Sequence, residues 1–180
     1  ILAAGRGERL RPLTDSMPKP LVEVAGKSLV VRQIEALARA GHRDVAINAS
    51  WLAQQLVDAL GDGHAFGVRL HWSIEPEPLE TAGGIATARP LLADGPVLIV
   101  SGDIWTTYDY ASLDRHRPGI SMARGRAAHL VMVANPPYHP QGDFSLAAAP
   151  APDGRSLKVM PRQTGHLPDG HANLTYGNIG

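Results

Sequence analysis

Apolar residues along the chain follow two periods. Val31, Ile34, Leu37 and Ala38 recur at helical spacing, so the pattern predicts a helix from Ser28, a candidate cap, to about Ala40, with Gly41 as its stop. Leu52, Leu56 and Leu60 stand four apart and predict a second helix closed by Gly61. Val45-Ala46-Ile47 is a short apolar run that reads as a buried strand, and Val68 to Ile74 alternates as a strand does. Ile85 to Leu92 reads as a short helix despite Pro90. Val97-Leu98-Ile99-Val100 reads as the clearest core strand and runs into Ser101-Gly102-Asp103.

Strands and helices alternate up to this point, which predicts an α/β fold with a mostly parallel, doubly wound central sheet. Beyond it the character changes. His129 to Val133 reads as one more strand, and Pro and Gly become frequent from Pro136 to Gly170, predicting short strands and loops laid over one end of the sheet. No repeat appears, and no linker is long enough to demand a second domain, so residues 1–180 read as a single domain with halves 1–110 and 111–180. Ile1-Leu2-Ala3-Ala4 reads as the end of a buried strand, and Tyr176-Gly177-Asn178-Ile179-Gly180 as the middle of an element, so both ends read as trimmed.

Composition narrows the chemistry. Hydrophobic residues make up 44% and charged residues 19%, which suits an ordered globular chain. The 17 basic and 17 acidic side chains cancel, without the basic excess that a nucleic-acid or anionic-membrane partner usually requires. No cysteine is present, so disulfides, thiolate catalysis and cysteine metal sites are excluded, and a reducing cytoplasm fits. No apolar run approaches a membrane span, and no signal peptide is visible. None of the eight histidines forms a metal-binding helical pair, and there is no Gly-x-Ser-x-Gly elbow for a serine hydrolase. Trp51, Trp72 and Trp105 read as packing residues.

The most informative stretch is Leu2-Ala3-Ala4-Gly5-Arg6-Gly7-Glu8-Arg9-Leu10-Arg11-Pro12-Leu13-Thr14, continuing to Pro18-Lys19-Pro20. A strand that ends in glycines presents bare main-chain N–H groups at the carboxyl end of a sheet, where nucleotides commonly bind. Gly5 and Gly7 let the backbone approach phosphate, and Arg9 and Lys19 supply cations that offset triphosphate charge. The string lacks the third glycine of the dinucleotide fingerprint. Gly26-Lys27-Ser28 is no Walker A loop either, because Leu21 stands where that motif needs glycine. Glycines alone also suit a solvated surface loop. The full string, Gly-x-Gly-x-Arg, then Pro12-Leu13-Thr14, then Lys19-Pro20, resembles the signature of the sugar-1-phosphate nucleotidylyltransferases.

That resemblance extends from Leu2 to Gly180 and implies a Rossmann-like nucleotidyltransferase fold, with nucleotide bound by the first half and sugar by the second. It places Leu2, Ala3, Ala4, Gly5, Gly7 and Glu8 at the nucleotide, Arg9 at the leaving pyrophosphate and Lys19 at the reacting α-phosphate. Glu75-Pro76-Glu77-Pro78-Leu79-Glu80-Thr81-Ala82-Gly83-Gly84 reads, on its residues, as an acidic turn opening a helix, with Thr81 as a possible cap. In the family the matching segment lines the base and ribose, which implies that role for Leu79, Thr81, Gly83 and Gly84, with Glu80 orienting the loop. Asp103, at a strand's carboxyl end, suits either a turn cap or one carboxylate of a Mg²⁺ site. The family's Gly-Asp match favours Mg²⁺. The family's second metal-binding Asp is expected beyond Gly180.

Asn135-Pro136-Pro137-Tyr138-His139-Pro140-Gln141-Gly142-Asp143-Phe144 matches a sugar-facing segment, implying contacts from Gly142 and Asp143. This string and Ser101-Gly102-Asp103-Ile104-Trp105 are most similar to the N-acetylmuramate-1-phosphate uridylyltransferases of cell-wall recycling, although Tyr176-Gly177-Asn178-Ile179-Gly180 departs from their usual Tyr-Ser-Gly-Ile-Gly. Asn178 joins the sugar-side candidates. The implied reaction joins a nucleoside triphosphate, UTP by this resemblance, to a sugar 1-phosphate in the cytoplasm. Alternatives are a non-catalytic nucleotide- or sugar-nucleotide-sensing module of the same fold, or glucose-1-phosphate thymidylyl- or uridylyl-, mannose-1-phosphate guanylyl- or phosphocholine cytidylyltransferase specificity.

Overall fold

Leu2 is the hinge of the first sheet. In the computed structural model, which describes residues 1–115, 117–120, 128–150, 157–161 and 172–176, Leu2 bridges in parallel to Asn48 on one side and to Ser101 on the other. Its N–H donates to Val100 O at 2.8 Å, and its carbonyl accepts from Gly102 N–H at 2.8 Å. After the glycine-rich loop come a short helix α1 (Leu13–Ser16) and a small hairpin of β1 (Glu23–Val24) and β2 (Lys27–Ser28). Helix α2 (Leu29–Arg39) then leads to strand β3 (Asp44–Ala49), helix α3 (Ala53–Leu60) and strand β4 (Arg69–Ile74). β3 and β4 pair in parallel, Asp44 opposite Arg69 through Ala49 opposite Ile74, with α3 as the crossover. Helix α4 (Glu80–Ala88) follows and packs on both strands. The order along this sheet is therefore the 100–101 segment, Leu2, β3 and β4, all parallel: an α/β arrangement.

The helices and strands predicted before residue 93 appear with adjusted edges. α2 buries Leu29, Val30, Gln33, Ile34 and Leu37, so its core face is rotated from the predicted one, and Val31 and Ala38 are only half-buried. Ser28 does not cap it. The hairpin takes over the helix start instead: Ser28 pairs with Glu23, and Leu29 N–H donates to Val22 O at 3.1 Å. Gly41 does stop the helix, at φ +93°, with His42 N–H returning to Leu37 O and Gly41 N–H to Ala38 O; this left-handed closure favours glycine. Leu52 lies just outside α3, which buries Leu56 and Leu60. α4 begins earlier than the predicted Ile85 and gives way to a 3-10 turn, Arg89–Leu91, at Pro90, whose ring nitrogen cannot continue the ladder. Thr81 lies inside α4 and makes no cap bond. Val97–Val100 is joined to the described sheet only near its end; Val100 is buried, whereas Val97 is exposed.

The chain divides into two compact units, Ile1–Arg126 and Ala127–Gly180, so the 3-10 turn Tyr110–Arg115 belongs with the first. The second unit contains a four-stranded antiparallel sheet of β5 (Met132–Val133), β6 (Phe144–Pro150), β7 (Leu157–Pro161) and β8 (Ala172–Tyr176), in the order β5-β8-β6-β7. Within the predicted strand His129 to Val133, β5 comprises Met132 and Val133. Among the described residues, no helix is long and apolar enough to cross a membrane.

One buried polar contact ties α2 to the segment that leaves the sheet. Gln33, 2% exposed, donates from Nε2 to Ile104 O at 2.8 Å and accepts the Tyr110 hydroxyl proton at Oε1. Burial pushes the Tyr110 phenol up to about 12 from its ordinary value of 10.0. The folded state therefore holds this proton more tightly than the unfolded chain; the associated stability is complete below pH 10 and is lost as pH climbs toward 12. Tyr110→Phe leaves Gln33 Oε1 without its donor and should lower stability by about 1–3 kcal/mol near neutrality. It should also flatten the loss of stability across that alkaline window in denaturant melts; an unchanged alkaline slope would contradict the assignment.

Candidate functional site

The glycine-rich loop is held in shape by contacts within its own neighbourhood. Gly7 sits at φ +67°, and a Cβ there would lie 2.9 Å from Lys19 Cβ and 3.0 Å from Thr14 Cγ2, so both conformation and space require glycine. Buried Thr14 donates from Oγ1 to Gly7 O at 2.9 Å, and Trp51 Nε1 donates to Thr14 O at 3.0 Å. The Arg6 guanidinium lies over the Trp51 ring, 4.4 Å from its centroid. Among the described residues, no hydrogen bond engages the main-chain N–H groups of Ala4, Gly5, Arg6 or Gly7. These donors stay free for an anion.

Lys19 and Asp103 reach the same point from distant parts of the chain. Lys19 starts a 3-10 turn between buried Pro18 and Pro20, which fixes its backbone. Asp103 follows Gly102, whose missing side chain lets the turn lie against Ile1 and the Leu2 carbonyl; a Cβ there would come within 3.0 Å of Ile1 Cγ2. Lys19 Nζ donates to Asp103 Oδ2 in a close ion pair, with both side chains partly open to solvent. Asp103 is a single carboxylate: among the described residues, no group of three or more potential metal ligands gathers. A lone carboxylate fits a hard cation whose other positions are filled by phosphate oxygens and water.

The loop and this pair enclose a cleft of about 440 Å³. Of the sequence-predicted residues, Leu2, Ala3, Ala4, Gly5, Gly7, Glu8 and Arg9 line it from the loop, and Lys19, Thr81 and Asp103 from elsewhere. Glu80 also lines it and adopts a left-handed backbone, φ +59°, at the start of α4. Leu79, Gly83 and Gly84 are not among the lining residues. A Cβ at Gly83 would meet Leu79 Cβ at 2.7 Å, and one at Gly84 would meet Asn48 Nδ2 at 2.5 Å and Glu75 Oε1 at 2.9 Å. These glycines allow α4 to pack closely.

Sequence reasoning missed Asn48, Glu75 and Ser101. Asn48 and Ser101 line the cleft, and Glu75 lies directly behind it, 2% exposed. All three stand at or just after strand ends that point toward the glycine-rich loop, and that position was the one available signal.

The sugar-side candidates lie in the second unit. Gly142, at φ +65°, leaves no room for a Cβ, which would meet Asn135 Oδ1 at 2.7 Å and Leu174 O at 2.8 Å. The Asp143 carboxylate accepts Tyr176 N–H at 2.9 Å and faces His139 Nε2 at 3.0 Å, so its oxygens are engaged within that unit. Asn178 lies outside the described residues.

Comparisons with known proteins bear on the family and the fold. An N-acetylmuramate alpha-1-phosphate uridylyltransferase from Neisseria meningitidis serogroup B is 52% identical over 147 residues, covering 81% of this chain and 63% of that protein. A mannose-1-phosphate guanyltransferase from Gibberella zeae is 40% identical over 116 residues, 63% of this chain and 32% of that protein. The chain therefore spans less than two thirds of the length of these relatives. The solved structure of a UDP-glucose pyrophosphorylase complexed with UDP-glucose superposes with a TM-score of 0.69 at 14% identity, covering 99% of this chain and 72% of that one, which establishes the shared Rossmann-like fold. The family profile described as "Nucleotidyl transferase" matches residues 1–144, and the chain belongs to that family.

Proposed function

We propose that this chain carries the nucleotide-binding and reacting centre of a sugar-1-phosphate uridylyltransferase. It would join UTP to a sugar 1-phosphate, with N-acetylmuramate 1-phosphate as the foremost candidate, giving a UDP-sugar and pyrophosphate in cytoplasmic cell-wall recycling. The observation that carries the reading is the meeting of Lys19 and Asp103 in a cleft lined by Ala4, Gly5 and Gly7, whose main-chain N–H groups donate no hydrogen bond among the described residues. The 52% identity to the N-acetylmuramate alpha-1-phosphate uridylyltransferase of N. meningitidis supports the choice of base and sugar.

A phosphate oxygen of the sugar 1-phosphate attacks the α-phosphorus of UTP. The new P–O bond forms as the bond from that phosphorus to the β-phosphate oxygen breaks, and pyrophosphate carries away the electron pair. No general base is required, because the attacking monoester is largely ionised near neutral pH. The loop N–H groups of Ala4 to Gly7 and the Arg9 guanidinium hold the β- and γ-phosphates, and Lys19 offsets charge growing on the α-phosphate oxygens. Mg²⁺, when bound, neutralises phosphate oxygens, and Asp103 is the residue to hold it. Thr81 and Glu80 border the nucleoside end, while Leu79, Gly83 and Gly84 shape that wall from behind. Gly142, Asp143 and Asn178 form the sugar-side set.

Lys19→Ala should lower the rate of pyrophosphate release by about 10²–10³-fold, the usual scale for removing one preorganised charge-stabilising donor, while leaving the melting temperature close to wild type. Near-normal turnover would reject its role. With UTP and a panel of sugar 1-phosphates, pyrophosphate release should be fastest with N-acetylmuramate 1-phosphate. A preference for GTP with mannose 1-phosphate would reject the proposed specificity, and UTP binding without any release would favour a non-catalytic module.

A further inference from the structure

Behind the cleft a chain of buried hydrogen bonds joins its two walls. Ala3 N–H donates to Asn48 Oδ1 at 2.8 Å, Asn48 Nδ2 donates to Glu75 Oε1 at 2.8 Å, and Leu79 N–H donates to Glu75 Oε2 at 3.1 Å. Asn48 is 5% exposed and Glu75 2%, so neither side chain is a surface group whose partners water could replace. At one end of the chain is the first turn of the phosphate-binding loop; at the other is Leu79, between the lining residues Pro78 and Glu80. Gly84 presses the pair from α4, with space for a hydrogen but not for a methyl group.

We infer that Asn48 and Glu75 are positioning residues for the nucleotide: a buried amide–carboxylate spacer that fixes the distance between the phosphate wall and the nucleoside wall. The inference rests on the uridylyltransferase reading for its ligand. Donor count makes the spacer directional. Both Glu75 oxygens accept, and Asn48 presents an acceptor to Ala3 and a donor to Glu75. Leu79 N–H, a natural donor for a base edge, is consumed by Glu75 and is therefore part of the scaffold.

This directionality gives a test by polarity reversal. Glu75→Gln places an amide N–H₂ against either Asn48 Nδ2 or Leu79 N–H, so one donor faces another. Asn48→Asp brings two carboxylates together. The double variant N48D/E75Q restores all three bonds, with only the one between positions 48 and 75 reversed in sense. The carboxylate then at position 48 would accept from Ala3 N–H and from the side-chain amide at position 75, whose oxygen would accept from Leu79 N–H. Net charge is unchanged. Calorimetric titration of the whole chain with UTP in MgCl₂ should give about tenfold or weaker binding for E75Q, recovery to within about threefold of wild type for the double variant, and a loss for Gly84→Ala similar to E75Q. Inorganic pyrophosphate, which spans only the phosphate wall, should bind all four proteins alike. Equal UTP affinity in wild type and E75Q, equal losses for UTP and pyrophosphate, or no recovery in the double variant would each overturn the spacer. If E75Q is too unstable to titrate, the double variant and G84A still decide the matter. A wild-type chain that fails to bind UTP at all would instead overturn the uridylyltransferase reading.

Discussion

The meeting of Lys19 with Asp103 is the constraint on which the rest of the site depends. The two residues are 84 positions apart, one on the turn after the glycine-rich loop and the other at the carboxyl end of the 100–101 segment. Each is placed by backbone features unrelated to charge. Gly7 leaves space against the Lys19 stem, Gly102 lets its turn settle on Ile1 and Leu2, and Gln33 anchors Ile104 immediately beyond Asp103. The pair is partly open to solvent, and an ion pair of that kind contributes only about 0–1 kcal/mol. It holds two opposite charges in place at little energetic cost to separate them, which suits the proposed exchange with a phosphate and its cation.

Preorganisation of the cleft is mostly polar and mostly buried. Thr14 and Trp51 clamp the loop from one side through hydrogen bonds to main-chain oxygens, and the Asn48–Glu75 pair ties it to the wall ahead of α4. Such groups are costly to leave unpaired in a low-dielectric interior, and this cost is what makes their geometry specific. Among the described residues the N–H groups of Ala4 to Gly7 donate no hydrogen bond, whereas those of Leu2 and Ala3 just before them are engaged.

The sequence conveyed the local features and the motif, and it was silent on side-chain contacts across long separations. The glycine-rich string, Lys19 and Asp103 were legible through their resemblance to the family signature, since glycines alone or an Asp at a strand end also suit a surface loop or a cap. β3, α3 and β4 were legible from period and spacing, and Gly41 as a stop from its backbone freedom. Ser28 misled because a hairpin, a pairing that propensity does not encode, organises the start of α2. Val97 to Val100 misled because apolar content predicts burial along the whole run, whereas Val97 is exposed. Asn48 and Glu75 are 27 positions apart, and Gln33 and Tyr110 are 77 apart. Each alone looks like an ordinary polar residue; only the fold supplies its partner.

The chain belongs to the nucleotidyl transferase family, and the proposed function places a nucleoside triphosphate in the cleft. The most direct measurement is a crystal structure of the chain soaked with a non-hydrolysable UTP analogue and Mg²⁺. The account predicts the α-phosphate within hydrogen-bonding reach of Lys19 Nζ, the metal on the Asp103 carboxylate, and the β- and γ-phosphates against the N–H groups of Ala4 to Gly7. A triphosphate bound elsewhere, with Lys19 and Asp103 still paired to each other, would contradict it.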